Sequence, residues 1–522
     1  MKKITLLLLL MPVVAWTQAI KPNLFDVEVG NAYQVVDPRY RYYYSTENQI
    51  YMFKIQKTDL IVQYYDIQTH KETKHHVIPD IMEKKEIEQV LELGDKVYFF
   101  YSSYDKPNET EQLYGQEFDL SSASLSKPEL ILSVKGKIQR SESQTGANGS
   151  VSMNKFKFNY SFDKSTLLVW YEKYPEIKSD AKNKDVFGLF VFDDELAKKW
   201  GKEVNMPYTE KEMDNFDFQV DANENVYLLA SVNDNAEILK YNNDEFEELK
   251  ISSNDKKLFN PAIVEGSDKN LYLTGLYSGS KNINEIEGIF FNVLDQNGNL
   301  GDYRYIKIPK SLILSNVSER EKNKIEKKES KKGSIKLNLE MGRILVNENG
   351  DLLLTLEEKF VTIHTVTDSK GRVRVEITYH LNEEYVIKVN KEGEYLWGFK
   401  IPKIQTSRRA YSAIGSKYYY HNNKHYFLFI DHLGNQDLKA NDIPKQYIDS
   451  NKGLFTAYVI DDETGQAQRD ALFDMTQISY KGKTMKVYNF KLDRILETPT
   501  GFAVEVYKKG KEDVMIHIDY KQ

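Results

Sequence analysis

Val386–Trp397 reads VIKVNKEGEYLW: an apolar run, a charged turn ending in glycine, and a second apolar run. Nearly the same phrase returns as FFNVLDQNGNLG from Phe290 and as AYVIDDETGQAQ from Ala457. Short apolar runs bounded by Asn, Asp, Gly and Lys are the sequence form of a β-hairpin. Turns of this kind fall around Asp66, Asp119, Asp193, Asn242, Asp295, Asn390 and Asp461, the last three being those just quoted. An acidic or amide residue opens each because its side chain accepts a bond from the backbone two residues on and tolerates unusual dihedrals.

A second hairpin alternates with the first. It has a tight polar turn and then a more continuously apolar strand, as in STENQIYMF, ELGDKVYFF, DANENVYLL and HNNKHYFLF. Its anchors align at Tyr51, Tyr98, Leu168, Tyr227, Tyr272, Leu353, Tyr426 and Ala503. Two alternating hairpins make four antiparallel strands per repeat, and repeats of this length and content predict an all-β chain folded as a β-propeller. Eight anchors predict about eight four-stranded blades, or seven if one weak repeat is an embellished loop. The last repeat lacks a strand, while a spare one, LFDVEVGNAY, lies at the other end from Leu24. An N-terminal strand completing the final blade would close the ring and remove an open sheet edge.

The stretch EYVIKVNKEGEYLWGFKIPK from Glu384 to Lys403, with KHYFLFIDH and LFTAYVIDDETGQ after it, resembles a group of uncharacterised secreted β-propeller-like proteins of Bacteroidetes. The likeness lies mainly over residues 384–475 and is carried by the I-K-x-N-x-x-G turn, Trp397, Ile401 to Lys403, Gln405 and Asp431. It implies an extracytoplasmic propeller and brings no activity with it.

The N-terminus agrees with that compartment. Lys2 and Lys3 precede a mostly apolar stretch from Leu6 to Trp16, followed by Thr17 and Ala19. This is the pattern of a secretory signal peptide over residues 1–19, too short in its apolar part to span a bilayer, leaving one propeller domain over 20–522. The expected place of the mature chain is the periplasm, the cell surface or the medium, without a transmembrane anchor. The chain has no cysteine, which excludes thiolate catalysis, Cys-ligated zinc and disulfide bracing. Its formal charge is −7, and −9 without Lys2 and Lys3, which argues against nucleic acid as a partner.

In such a blade both tight turns lie at one end of the ring, and the links from second to third strand and from blade to blade lie at the other. The long insertions fall almost wholly in the second set, including 309–336, 358–384 and 431–453. Binding surfaces are built on loops that grow from one face of a rigid scaffold. Several of these loops leave their strand with an aromatic and a charged residue. The candidate ligand-binding residues are Tyr104, Asp105, Glu172, Tyr174, Tyr277, Asp431 and His432, with Tyr101 and Tyr171 beside them. Flat rings next to hydrogen-bonding groups suit a glycan, a peptide or an envelope protein. The bland alternative is that such tyrosines merely cap blade edges.

No G-x-S-x-G, H-E-x-x-H, P-loop or dinucleotide fingerprint is present, and no cofactor or metal is expected. His75 and His76 are adjacent in a strand and point to opposite faces. His421, His425 and His432 could form a zinc trio only if the fold gathers them, and DQNGN at Asp295 misplaces the glycine of a calcium loop. Ser318–Gly333 has Glu–Lys pairs at helical spacing but a single large apolar residue, Ile325, so a solvated loop or frayed helix is expected. The leading expectation is a binding or scaffold propeller. The alternative is a hydrolase or lyase acting on a polymer through loop carboxylates.

Overall fold

The computed structural model describes residues 20–145, 151–233, 235–251, 256–279, 286–332, 335, 337–367, 370–409, 414–450, 452–488 and 490–521. The leader expected over residues 1–19 lies outside them. Among the described residues eight sheets of four to six strands follow one another along the chain, as blades at 40–78, 86–135, 157–205, 213–250, 257–307, 339–401, 416–474 and 495–520, with two two-stranded sheets in the links between them. Each anchor residue falls in the second strand of its blade, which lies in the middle of its sheet and is covered on both faces. Gln49–Gln56, for example, is buried at six consecutive positions. That burial is why these strands are continuously apolar rather than alternating.

Eight hydrophobic clusters fill the eight gaps between neighbouring blades. The gap between the last blade and the first is filled like the others, by Tyr33, Ile50, Met52, Tyr65, Leu496, Ala503 and Met515. The ring is therefore a closed propeller of eight blades. Its cohesion comes from side chains worth roughly 1.5–3 kcal/mol each on burial.

The N-terminal strand closes the last blade as the sequence predicts. Phe25–Val29 runs antiparallel to Glu512–Tyr520, with Phe25 opposite Tyr520 and Val29 opposite Ile516. Phe25 is buried against the rings of Tyr426, Phe502 and Tyr520. The backbone N–H groups of Asn23 and Leu24 donate to the Asp470 carboxylate at 2.9 and 2.7 Å, tying the strand to blade seven.

The recurring polar turns behave as their chemistry requires. Asp66 accepts from the Thr69 backbone N–H, Asp193 from Ala197, Asp295 from Asn297 and Asn299, and Asn390 from Glu392 and Glu394. The Asp295 segment is thus a hairpin turn with its carboxylate already satisfied.

The insertions differ from the expectation. Residues 358–384 do not form a loop: the two middle strands of blade six run on as Leu352–Thr367 and Val373–Val389, a long two-stranded ribbon. Insertion 309–336 carries helices Lys310–Ile313 and Glu319–Lys332, the second held by Glu319–Lys322, Glu321–Lys324 and Lys310–Glu329 ion pairs. Ile325 faces a cleft shared with Ile313, Ile335, Leu337 and Tyr385, so the helix has a small seat on blade six. Among the described residues no helix is long and apolar enough to cross a membrane.

Candidate functional site

The segments holding Tyr101 to Asp105, Tyr171 to Tyr174, Glu357 to Glu384 and Asp431 to Gly453 all join second to third strands. They share one end of the ring with the blade-to-blade links. The fold divides the sequence candidates into two groups. Tyr104 is 41% and Tyr174 52% exposed on this end. Tyr101, Tyr171 and Tyr277 are buried between blades: Tyr101 stacks on Tyr114, Tyr171 donates to Glu203, and Tyr277 packs edge-on against Tyr305. For Tyr277 this corrects the expectation of a contact surface, because its strand continues past it to Ser278.

Asp431 is also buried. It accepts from the His432 backbone N–H at 2.7 Å, Asn435 Nδ2 at 2.6 Å and Arg469 Nη2 at 3.0 Å. Asn435 in turn bonds Lys445, so Asp431 fixes the shape of the 431–453 insertion and is taken up by that task. His432 caps the short helical turn after it, its Nδ1 accepting from Gly434. Asp105 closes its own hairpin by accepting from Asn108. The three histidines are not gathered: His425 bonds Asp462 and Tyr418, His421 stacks on Tyr520, and His432 lies at the opposite end of its strand. Among the described residues no group of three potential ligands could hold a metal ion.

Glu172 gains neighbours that the sequence did not reveal. The link 173–185 folds back so that Glu172 meets Asp185 and Glu210, with Asn183 donating to Glu210 at 2.9 Å and Asn215 to Asp185 at 3.1 Å. Burial, then Asp185 and Glu210, push the Glu172 carboxyl up to about 7. Burial and the hydrogen bond with Glu210 push Asp185 up to about 6. The native state therefore holds the Glu172 proton more tightly than the unfolded chain, whose glutamates titrate near the ordinary value of 4.5. Stability falls as pH rises from that value through 7. Glu172→Gln is expected to raise the melting temperature at about pH 8 and to leave it unchanged at about pH 4. Paired melting curves across that range check it, and a gap that does not depend on pH would refute the assignment.

Two features of this end were invisible to motif reasoning. The first is the ribbon. Its cross-strand pairs Val361–Tyr379, Ile363–Ile377, Thr365–Val375 and Thr367–Val373 share one face. Ile363, Val373 and Val375 on that face are 66%, 65% and 62% exposed. The opposite face is mixed and carries the charged groups, with His364 opposite Glu376, Arg374 opposite Val366, and His380 bonded to Thr362 and stacked on Phe360. Strand Leu339–Val346 stops pairing at Glu358, and Gln405–Ser407 pairs only as far as Tyr379, so beyond those points both ribbon edges are open among the described residues.

The second feature is a set of cations, Arg41, Lys417, Lys491 and Arg494, where the first strands of blades seven, eight and one begin. Arg494 is buried, and its Nε has no hydrogen-bond partner among the described residues.

No protein-family model and no curated protein matches the chain. Solved structures similar to it include a prolyl endopeptidase (8% identity, TM-score 0.39, 93% of this chain and 55% of that one). Also similar are a polysaccharide lyase, Uly1 (10%, 0.35, 93% and 91%), and the WD40 domain of SCAP from fission yeast (9%, 0.36, 96% and 98%). The chain spans about half the length of the prolyl endopeptidase it resembles.

Proposed function

We propose that this β-propeller is a secreted or periplasmic binding protein that recognises an extended segment of an envelope peptide or protein at the loop-bearing end of its ring. The observation that carries this reading is the ribbon. A two-stranded hairpin is marginal alone, and this one presents an aliphatic face and two open edges to solvent. Both features suit strand addition, in which the partner's backbone pairs with an edge and its alternate side chains meet the aliphatic face. The most exposed side chains of that face, Ile363, Val373 and Val375, are aliphatic, which suits a polypeptide better than a sugar. Tyr104 and Tyr174 on the same end would add flat contact area.

A photo-crosslinking residue in place of Ile363 or Val375 tests this reading against the same residue in place of His364 or Glu376. The first pair should trap one polypeptide in the cell envelope and the second pair should not. Equal yields from the two faces, or none from either, would contradict the proposal. Ile363→Ser should change stability by no more than about 0.5 kcal/mol, because the side chain is exposed.

A second reading, a hydrolase or lyase acting on an envelope polymer, is favoured by the Glu172, Asp185 and Glu210 group, since a carboxyl poised near neutrality suits proton transfer. Turnover of such a polymer by the protein, lost in Glu172→Gln, would replace the binding reading.

A further inference from the structure

We propose that the loop-bearing end also holds a site for a doubly charged tetrahedral oxyanion, a phosphate or sulfate group, formed by Arg41, Lys417, Lys491 and Arg494. The three first strands involved lie side by side. The Tyr419 hydroxyl of blade seven donates to Ile495 O of blade eight at 2.7 Å, and Ser45 Oγ of blade one donates to Glu497 O of blade eight at 2.7 Å. Lys417 and Arg41 are each the second residue of their strands, Ser416–His421 and Tyr40–Ser45. Arg494 ends the helical turn Leu492–Arg494 immediately before strand Ile495–Thr498, and Lys491 precedes that turn. First strands start at the loop-bearing end, so all four cations belong to it.

Lys417, Lys491 and Arg494 form no ion pair among the described residues, and Arg41 has only a share of Glu505, which Lys54 holds more closely. Neighbouring cations are matched: Arg409 holds Asp449 at 2.6 and 2.7 Å, Arg343 reaches Glu384, and Lys54 holds Glu505. Arg494 is 7% exposed and forms no side-chain hydrogen bond or ion pair among the described residues. Arg41 gives one bond, from Nη2 to Val36 O at 3.0 Å, while its Nε and Nη1 have none and Nη1 stands 3.7 Å from a Glu505 already held by Lys54, Tyr33 and Tyr43. The Lys417 ammonium lies over the Tyr419 ring at 5.5 Å without an ion pair, and Lys491 has none either. Burial pulls both lysines below the ordinary range; Arg343 adds to it at Lys417, and Arg494, Arg41 and Arg409 add to it at Lys491, against the opposing pull of Asp493 on both. Nearby carboxylates are Asp493, Asp513 and Glu505.

A buried guanidinium without a partner is costly, and a bound oxyanion would relieve it. The donors sit at the starts of the first strands of three neighbouring blades. A tetrahedral group has oxygens to meet each of them, whereas a carboxylate offers two oxygens in one plane and is satisfied by one arginine.

Titration calorimetry of the whole protein with inorganic phosphate, sulfate and acetate, at chloride-matched ionic strength, tests the site. Phosphate or sulfate should bind saturably and raise the melting temperature, and acetate should do neither. The double variant Lys417→Gln, Lys491→Gln should bind phosphate about tenfold more weakly while melting no lower than the parent without ligand. Arg494→Gln would remove a buried group and could disturb folding, so the lysine variants carry the test. Absence of saturable binding, equal binding by the double variant, or acetate matching phosphate would overturn the proposal. The site is separate from the ribbon: Ile363→Ser should leave phosphate binding unchanged, so the two readings fail independently.

Discussion

Removal of residues 20–34 is expected to cost the ring its cooperative stability. The segment carries Phe25–Val29, the fourth strand of blade eight, and Tyr33, which fills the gap to blade one and donates to Glu505 at 2.9 Å. Losing two buried aromatics at roughly 1.5–3 kcal/mol each, with a ladder of hydrogen bonds at about 1 kcal/mol each, approaches the whole stability of a typical domain. It would also bare the edge of Glu512–Tyr520 to pairing with other chains. The truncated protein should therefore aggregate or unfold at far lower urea concentration. A truncated chain that melts like the parent would show that closure contributes nothing.

The second large effect is expected at the ionic group beneath that closure. Glu505 accepts from Lys54 at 2.5 Å and from the Tyr33 and Tyr43 hydroxyls, with Arg41 3.7 Å away and Asp513 close by. Lys54, Glu505 and Asp513 are wholly buried. Burial alone would raise the Glu505 carboxyl, yet Lys54 and Arg41 overcome it and hold the group below the ordinary glutamate range. Its stabilising share is thus present above that range and is lost as pH falls through it. Glu505→Ala leaves Lys54 and Arg41 buried beside each other and should cost about 3–5 kcal/mol by chemical denaturation. Lys54→Met with Glu505→Leu should recover much of that loss, since replacing both charges removes the desolvation penalty along with the attraction. A loss below about 1 kcal/mol in the single variant would mean that water reaches the pair.

The architecture was legible because it is written locally. Tyr51, Tyr227 and Tyr426 follow tight turns into strands buried on both faces, and Asp66, Asp295 and Asn390 open turns whose backbone they bond. Closure was legible as a missing strand at one end and a spare one at the other. The site was harder to read. Tyr277 and Asp431 sit where an insertion was expected to begin, but Tyr277 is still within its strand and Asp431 is held by Asn435 and Arg469, so both side chains remain inside the packing. The ribbon did have a signal: Val361, Ile363, Val373, Val375 and Ile377 alternate with polar residues at the period of a strand. That alternation was hidden within what read as one long insertion. The Lys54–Glu505 pair is 451 residues apart in sequence, and Arg41 comes to bear on Lys491 only because the ring closes. No local pattern encodes such a meeting.

Closure brings blade one beside blade eight, and both the anion site and the Lys54–Glu505 group stand on it. The chain has no cysteine, which makes a direct test available. Asp26 and Asp519 are cross-strand partners, and such pairs lie within the Cα separation that a disulfide needs. In the double variant Asp26→Cys, Asp519→Cys, mild oxidation should link the two ends of a single chain. Mass spectrometry of the digested monomer should then find the peptides around residues 26 and 519 joined in nearly every molecule. Thiols that stay free in the folded monomer, or that join only between chains, would contradict the closed ring.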